Sequence, residues 1–251
     1  MIFTKNINTM TKKISVLSVA GLLLMLFSHG LNAQNKLTEQ EKEAGFVLLF
    51  DGSTSDGWRG YKKDVFPDKW VVEDGTLHFN PEAEGKGGDI IFDKKFSNMH
   101  FKIDWKIAEG GNSGIFYLGA ENDKFRAIYA TAPEMQVLDN EKHPDAKLGK
   151  DGNRKSGSLY DLIPAIPQNS KGAEKWNSAE VIIKDGHVIH MQNGVKVVEF
   201  DYGTTEWNEL VAGSKFPGIN PDWANLQKEG YIGLQDHGNH VWFRNIKIKE
   251  L

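Results

Sequence analysis

Glu180-Val181-Ile182-Ile183-Lys184-Asp185-Gly186-His187-Val188-Ile189-His190-Met191-Gln192-Asn193-Gly194-Val195-Lys196-Val197-Val198-Glu199-Phe200 decides the fold. Three runs rich in β-branched residues are separated by Asp185-Gly186 and Asn193-Gly194. These dipeptides tolerate positive φ at both centres of a type I′ turn. The spacing predicts a three-strand antiparallel meander. Upstream, Trp70-Val71-Val72-Glu73 and Thr76-Leu77-His78-Phe79 flank Asp74-Gly75 in the same way. His100 to Ile107 alternates strictly, with Phe101, Ile103, Trp105 and Ile107 on one face, the pattern of a half-buried strand. Downstream, Gly230 to Gln235 and Val241 to Ile248 read as strands. In the second, Val241 and Phe243 share one parity and Ile246 and Ile248 the other, so a bulge near Arg244-Asn245 is needed to keep all four inside. Thr38 with Glu41 three residues on reads as a capping box opening a short surface helix. A second short helix is expected with Asn220 as N-cap, Pro221 at its first position, and its end near Gln227. About ten short strands at even spacing, without a βαβ rhythm, predict an all-β antiparallel sandwich or jelly roll and exclude a doubly wound nucleotide fold.

The chain has 251 residues, 39% hydrophobic and 25% charged, which excludes general disorder and fibrous repeats. It contains no cysteine, so a disulfide framework, a thiol nucleophile and a thiolate zinc site are all excluded. Lys12-Lys13, an apolar run from Ile14 to Phe27 and Leu31-Asn32-Ala33 form a secretory leader pattern. The expected organisation is a signal peptide over 1–33, a polar lead-in over 34–44 and a single catalytic domain over 45–251. Removing the leader takes the net charge from −4 to about −7. An acidic body without a basic patch argues against a nucleic-acid partner. No later run is long and apolar enough to span a membrane, so no membrane association is expected after leader removal. Export without cysteines points to a bacterial periplasm.

Three segments concentrate chemistry. In Glu134-Met135-Gln136-Val137-Leu138-Asp139-Asn140, strand parity sends Glu134 and Gln136 to one face and Met135 and Val137 to the other. Gly233-Leu234-Gln235-Asp236-His237-Gly238-Asn239-His240 gathers an acid and two imidazoles at a strand end, where proton transfer near neutral pH is available. Gly110-Gly111-Asn112-Ser113-Gly114 reads as a tight turn entering a strand, with Asn112 offering a donor and an acceptor. Trp58, Tyr61, Tyr117, Tyr160 and Trp176 are candidate stacking residues for a sugar ring. The irregular stretches Asp139 to Ser156 and Ile163 to Lys175 are expected to carry binding. There is no HExxH zinc motif, no phosphate loop and no G-x-S-x-G elbow.

Taken in order, several segments resemble one family. They are Phe50-Asp51-Gly52 with Trp58, Gly111 to Ile115, Glu134 to Asn140, Gly157-Ser158-Leu159-Tyr160-Asp161, Trp176-Asn177, Asn193-Gly194, Gly233 to Gly238 and Phe243-Arg244-Asn245-Ile246. The sequence is similar to the 3-keto-disaccharide hydrolases, described as 3-keto-glucoside 1,2-lyases and 3-keto-2-hydroxyglucal hydratases. The resemblance implies a concanavalin-like jelly roll, bacterial secretion, and sugars already oxidised at C3 by a partner dehydrogenase. A C3 ketone acidifies the C2 hydrogen, so the chemistry needs a base, a proton donor and groups that hold an oxyanion. Glu134 and His237 are the candidates for the two proton transfers. Asn112, Gln136, Asp139, Lys155, Tyr160, Trp176, Gln235 and Asp236 are the candidates for substrate binding. No cofactor is called for, and a divalent ion on the enediolate stays open. The competing readings are a two-carboxylate glycoside hydrolase built on Glu134-x-Gln136-x-x-Asp139, which needs carboxyls roughly 5–5.5 Å apart to retain configuration, and a non-catalytic sugar-binding module.

Overall fold

The computed structural model describes Met1 and residues 34–251; the leader expected over 1–33 lies outside the described residues apart from Met1. Among the described residues thirteen strands follow in chain order: β1 Val47–Leu48, β2 Trp58–Gly60, β3 Trp70–Glu73, β4 Thr76–Phe79, β5 Ile90–Phe96, β6 Met99–Ile107 and β7 Asn112–Gly119. The rest are β8 Glu134–Leu138, β9 Asn177–Lys184, β10 His187–Gln192, β11 Val195–Asp201, β12 Gly230–Leu234 and β13 Val241–Glu250. Among the described residues the α-helices are α1 Glu39–Glu43 and α2 Thr205–Ala212. An eight-stranded sheet runs β11-β10-β9-β6-β13-β4-β3, with β1 added on β13. A five-stranded sheet runs β2-β5-β12-β7-β8. The paired strands are antiparallel, and alternation supplies the layer between the sheets. Phe101, Ile103, Trp105 and Ile107 from one sheet and Ile115, Tyr117, Met135 and Val137 from the other join one buried cluster.

The turns behave as the dipeptides demand. Asp74, Asp185 and Asn193 have φ of 47°, 51° and 49°, each followed by a glycine with positive φ. In β13 the pairing with β6 slips between Arg244 and Lys247, and Asn245 adopts φ 53°. That bulge buries Val241, Phe243, Ile246 and Ile248 together. The lead-in holds it in place. Asn35 and Asn245 exchange two backbone-to-side-chain hydrogen bonds at 2.7 and 2.9 Å, and Lys247 Nζ donates to Glu41 at 2.8 Å. The same Glu41 closes the capping box of α1 with Thr38.

The second helix is not where the sequence reading put it. Residues 221–224 form a turn and 225–229 are irregular, and α2 lies earlier, capped by Thr204, whose hydroxyl accepts from Trp207 N–H at 3.1 Å. Asn220 spends its side chain locally instead, accepting from Asp222 N–H at 3.0 Å and donating to the Ala130 carbonyl at 3.0 Å. Packing decides the matter. Trp223 is drawn into an aromatic stack with Phe216 at 4.0 Å and Trp207 at 5.9 Å, and Trp207 Nε1 donates to the Ala224 carbonyl at 2.8 Å. The stack continues to Phe200 at 5.3 Å and fixes the 213–223 segment.

Candidate active site

On the outward face of the five-stranded sheet, β7 and β8 pair Gly114 with Gln136 and Phe116 with Glu134. Parity sends Met135 and Val137 into the core and leaves Glu134 and Gln136 facing out, though both are covered by what lies above. A Cβ at Gly114 would collide with the Glu134 carboxyl, so only glycine there lets Glu134 lie flat over β7. The Gly157–Tyr160 turn pairs along the free edge of β8. Gly157 N–H donates to the Gln136 carbonyl at 2.8 Å, and Tyr160 N–H to the Glu134 carbonyl at 3.0 Å. This brings the Tyr160 ring beside Glu134.

A cavity of about 260 Å³ opens here, lined by Asn112, Glu134, Gln136, Tyr160, Gln235 and His237. Tyr129, Lys215, Phe216 and Ile219 complete its wall. It lies just below the roughly 300–1,000 Å³ of pockets for drug-sized ligands, a size for one small ring. Gln235 is fixed by its backbone: its N–H donates to the Gly114 carbonyl at 3.0 Å, and Ser113 Oγ donates to its carbonyl at 2.8 Å. Asn112 Nδ2 reaches His237 Nε2 at 3.5 Å. The His143 ring stands edge-on to His237 at 6.0 Å.

Burial pushes the Glu134 carboxyl up to about 8; the Lys215 ammonium draws it down, while Asp89 and Asp145 push it further up. Its carboxyl accepts no hydrogen bond from any described residue, so it is protonated at neutral pH and can act as an acid. Lys215 Nζ donates to Tyr160 Oη at 3.0 Å, and Tyr160 donates to Asp145 Oδ2 at 2.9 Å. Arg154 clamps Asp145 and Asp161 at 2.8 and 2.6 Å. Burial holds Lys215 below the usual lysine range, against the nearby Asp161, Glu134 and Asp145. Burial and the bond to Asp145 raise the Tyr160 phenol well above its ordinary value. Asn112 Oδ1, Gln235 Oε1 and Gln136 Nε2 are buried without a hydrogen-bond partner among the described residues. Two unpaired acceptors and one unpaired donor thus belong to residues that line the cavity, and a ligand rich in hydroxyls could satisfy all three.

Six of the candidates named from the sequence for catalysis, binding or stacking meet in this cavity, and seven do not. Asp139 is buried, with its carboxylate accepting from Gly110 and Glu141 N–H groups at 2.7 and 3.0 Å; it ties down a loop. It therefore cannot partner Glu134 as the second carboxylate of a glycoside hydrolase. Asp236 accepts from Gly88 and Gly238 N–H groups at 2.7 and 2.9 Å, and its own N–H donates to Asp89, whose carboxyl burial raises to about 7. Lys155 lies in the turn behind Gly157, outside the cavity lining. Trp176 sits on the other sheet, in a separate groove. Trp58, Tyr61 and Tyr117 are buried, with their polar atoms bound to Leu49, Ala120 and His190. The two long irregular stretches also stand back from the cavity, the first reaching it only through His143 and Asp145. The wall comes instead from Tyr129 and from the segment after α2. The Thr204 cap with Trp207, Leu210 and Val211 at helical spacing was the one signal for that segment; nothing in the sequence marked Lys215. Among the described residues no three His, Asp or Glu side chains converge on a metal position, and no helix is long and apolar enough to cross a membrane.

Comparison with known proteins shows the family and the fold. Residues 45–249 match the family described as the 3-keto-alpha-glucoside-1,2-lyase-like domain. A Bacteroides thetaiotaomicron protein named 3-keto-disaccharide hydrolase is 47% identical over 230 residues, 82% of this chain and 79% of that protein. A crystal structure of a candidate glycosyl hydrolase from Parabacteroides distasonis superposes with a TM-score of 0.79 at 33% identity, covering 87% of this chain and 99% of that one. A Bacillus subtilis protein with a galectin-like fold, at 17% identity and a TM-score of 0.50 over 79% of this chain and 92% of that one, shares the fold.

Proposed function

This chain belongs to the 3-keto-alpha-glucoside-1,2-lyase-like family, and from that premise we propose that it cleaves 3-keto-glycosides by removing the C2 proton and expelling the C1 substituent. At the coarser level it is an enzyme acting on sugars. The observation that carries the finer reading is the cavity itself. One carboxyl held protonated, one exposed imidazole and three unspent amide atoms face the same small volume.

In this reading His237 takes the C2 proton. The C2–H electron pair moves toward C3, giving an enediolate whose oxygen accepts from Gln136 Nε2 and from the Lys215 ammonium. Glu134 then delivers its proton to the C1 oxygen as the C1–O bond breaks, leaving a 3-keto-2-hydroxyglucal and a free alcohol. Hydration reverses the sequence: water adds at C1 and a proton returns to C2. Asn112 Oδ1 and Gln235 Oε1 accept from ring hydroxyls. Phe216 and Ile219 keep bulk water from Glu134 and so hold its proton in place. The reading includes export to a bacterial periplasm and a sugar 3-dehydrogenase that supplies the ketone.

Methyl 3-keto-glucoside provides the test, followed through glycal absorbance and released methanol. The wild type should turn it over, with an alkaline limb set by Glu134 near pH 8. Glu134→Gln and His237→Asn should each lose at least ~100-fold in kcat, the scale of acid–base groups. Lys215→Met should move the alkaline limb to higher pH, because the ammonium charge that loosens the Glu134 proton is gone. Full turnover in either acid–base variant removes that residue from the mechanism. A wild type inert on every 3-keto-glycoside, but active on unoxidised disaccharides, overturns the reading.

A further inference from the structure

Trp176 stands outside the first cavity, in a groove of its own. On the outward face of the eight-stranded sheet, β13 pairs Trp242 with His78 on one side and with Lys106 on the other. The pairing of Trp105 with Asn177 brings Trp176, one residue before β9, beside Lys106. The result is a row across four strands. The His78 ring stacks on Trp242 at 4.5 Å, Lys106 Nζ lies 4.1 Å from the Trp242 centroid and 5.7 Å from that of Trp176, and the Arg244 guanidinium lies over Trp176 at 3.9 Å. A groove of about 230 Å³ runs along this row, close in size to the first cavity. Gln34 of the lead-in forms its rim, donating to the Asp74 and Gly75 carbonyls of the β3–β4 turn at 3.0 and 2.7 Å.

We propose that this groove is a second, non-catalytic binding site for a neutral saccharide, on the sheet opposite the first cavity. Three observations carry it. First, a donor is unspent: among the described residues Lys106 Nζ makes neither a hydrogen bond nor an ion pair, whereas Arg244 Nε, buried without a hydrogen bond, is ion-paired with Asp104 at 3.5 Å. Second, acceptors stand beside it, since the Glu73 carboxylate uses one oxygen on His78 and keeps the other for the groove it lines. With Arg244 paired to Asp104, Lys106 is set against Glu73 and Asp74, a lining without excess positive charge that suits a polyol with both donors and acceptors and disfavours a polyanion. Third, the rings are set in advance: Trp242 is held between cross-strand neighbours and Trp176 under a guanidinium, so binding costs them little side-chain freedom. The inference does not depend on what reaction the first cavity performs.

Affinity gel electrophoresis through soluble starch, xyloglucan and laminarin tests it. Wild-type protein should be retarded by at least one of these neutral polymers. Trp176→Ala and Lys106→Ala should weaken that retention by about 10-fold or more, while their turnover of methyl 3-keto-glucoside stays unchanged. Lys106 reaches out over the sheet surface, so its variant carries the test if Trp176→Ala fails to fold. Glu134→Gln should be retarded like the wild type. No retardation of the wild type by any of the three polymers overturns the proposal, as does retention lost in Glu134→Gln but kept in the groove variants.

Discussion

Glu134 couples the stability of the protein to its proton. Its carboxyl titrates at 4.5 when exposed and at about 8 in the fold, so the native state holds a proton that the unfolded chain gives up. Stability from this source is fully present below pH 4.5, falls as pH rises through 8 and is flat above. The wild type should therefore lose stability relative to Glu134→Gln across that window, by a few kcal/mol in all. Urea midpoints of both proteins between pH 4 and 9 check this; parallel curves would show that Glu134 ionises without penalty. Strand parity made Glu134 and Gln136 legible in the sequence, because period two needs no tertiary knowledge. Asp139 misled because a carboxylate at a strand end is equally suited to capturing backbone N–H groups, and Gly110 and Glu141 supplied them. Lys215 was invisible, since its place depends on where α2 ends and on how the aromatic stack seats the segment that follows.

The segment after α2 reaches the cavity because Phe200, Trp207, Trp223 and Phe216 stack in series. Trp207→Ala removes the centre of the stack and should cost about 3–5 kcal/mol, whereas Thr204→Ala removes only a cap and should cost about 1 kcal/mol. Denaturant titration separates the two, and Trp207→Ala should also raise KM for the methyl 3-keto-glucoside as the Lys215–Phe216 wall loosens. The same aromatic stack explains the misplaced helix. Asn220-Pro221 is a sound start signal, but Trp223 gains more by stacking in the core than the backbone gains from one more helical turn. By contrast, the meander and the β13 bulge could be read directly, because turn dipeptides and a parity switch are local and the buried layer agrees with them.

At the scale of the molecule, the two sheets carry separate tasks on their outward faces, and the polar lead-in serves only one of them. Gln34, Asn35 and Glu41 fasten it to the β3–β4 turn, Asn245 and Lys247. A chain beginning at Gly45 should unfold at lower urea, by roughly 1 kcal/mol for each of these part-buried hydrogen bonds it gives up, yet keep its kcat, since the first cavity lies on the other sheet. Equal losses of stability and kcat would show that the faces are mechanically joined. The sheet order of such a sandwich was not legible: hairpins show in sequence, but β13, the last strand, lies between β4 and β6 and also pairs β1, all from the first half of the chain.

The turn along β8 has an effect beyond positioning Tyr160. A strand with an open margin is a template on which a neighbouring molecule can grow its own ladder. Gly157–Tyr160 already occupies that margin. The other sheet ends give little purchase: β2 and β3 are only three and four residues long, and Ile166 N–H donates to the Val197 carbonyl on β11. One short turn thus closes β8 to edge-to-edge pairing between molecules of this protein in a concentrated solution.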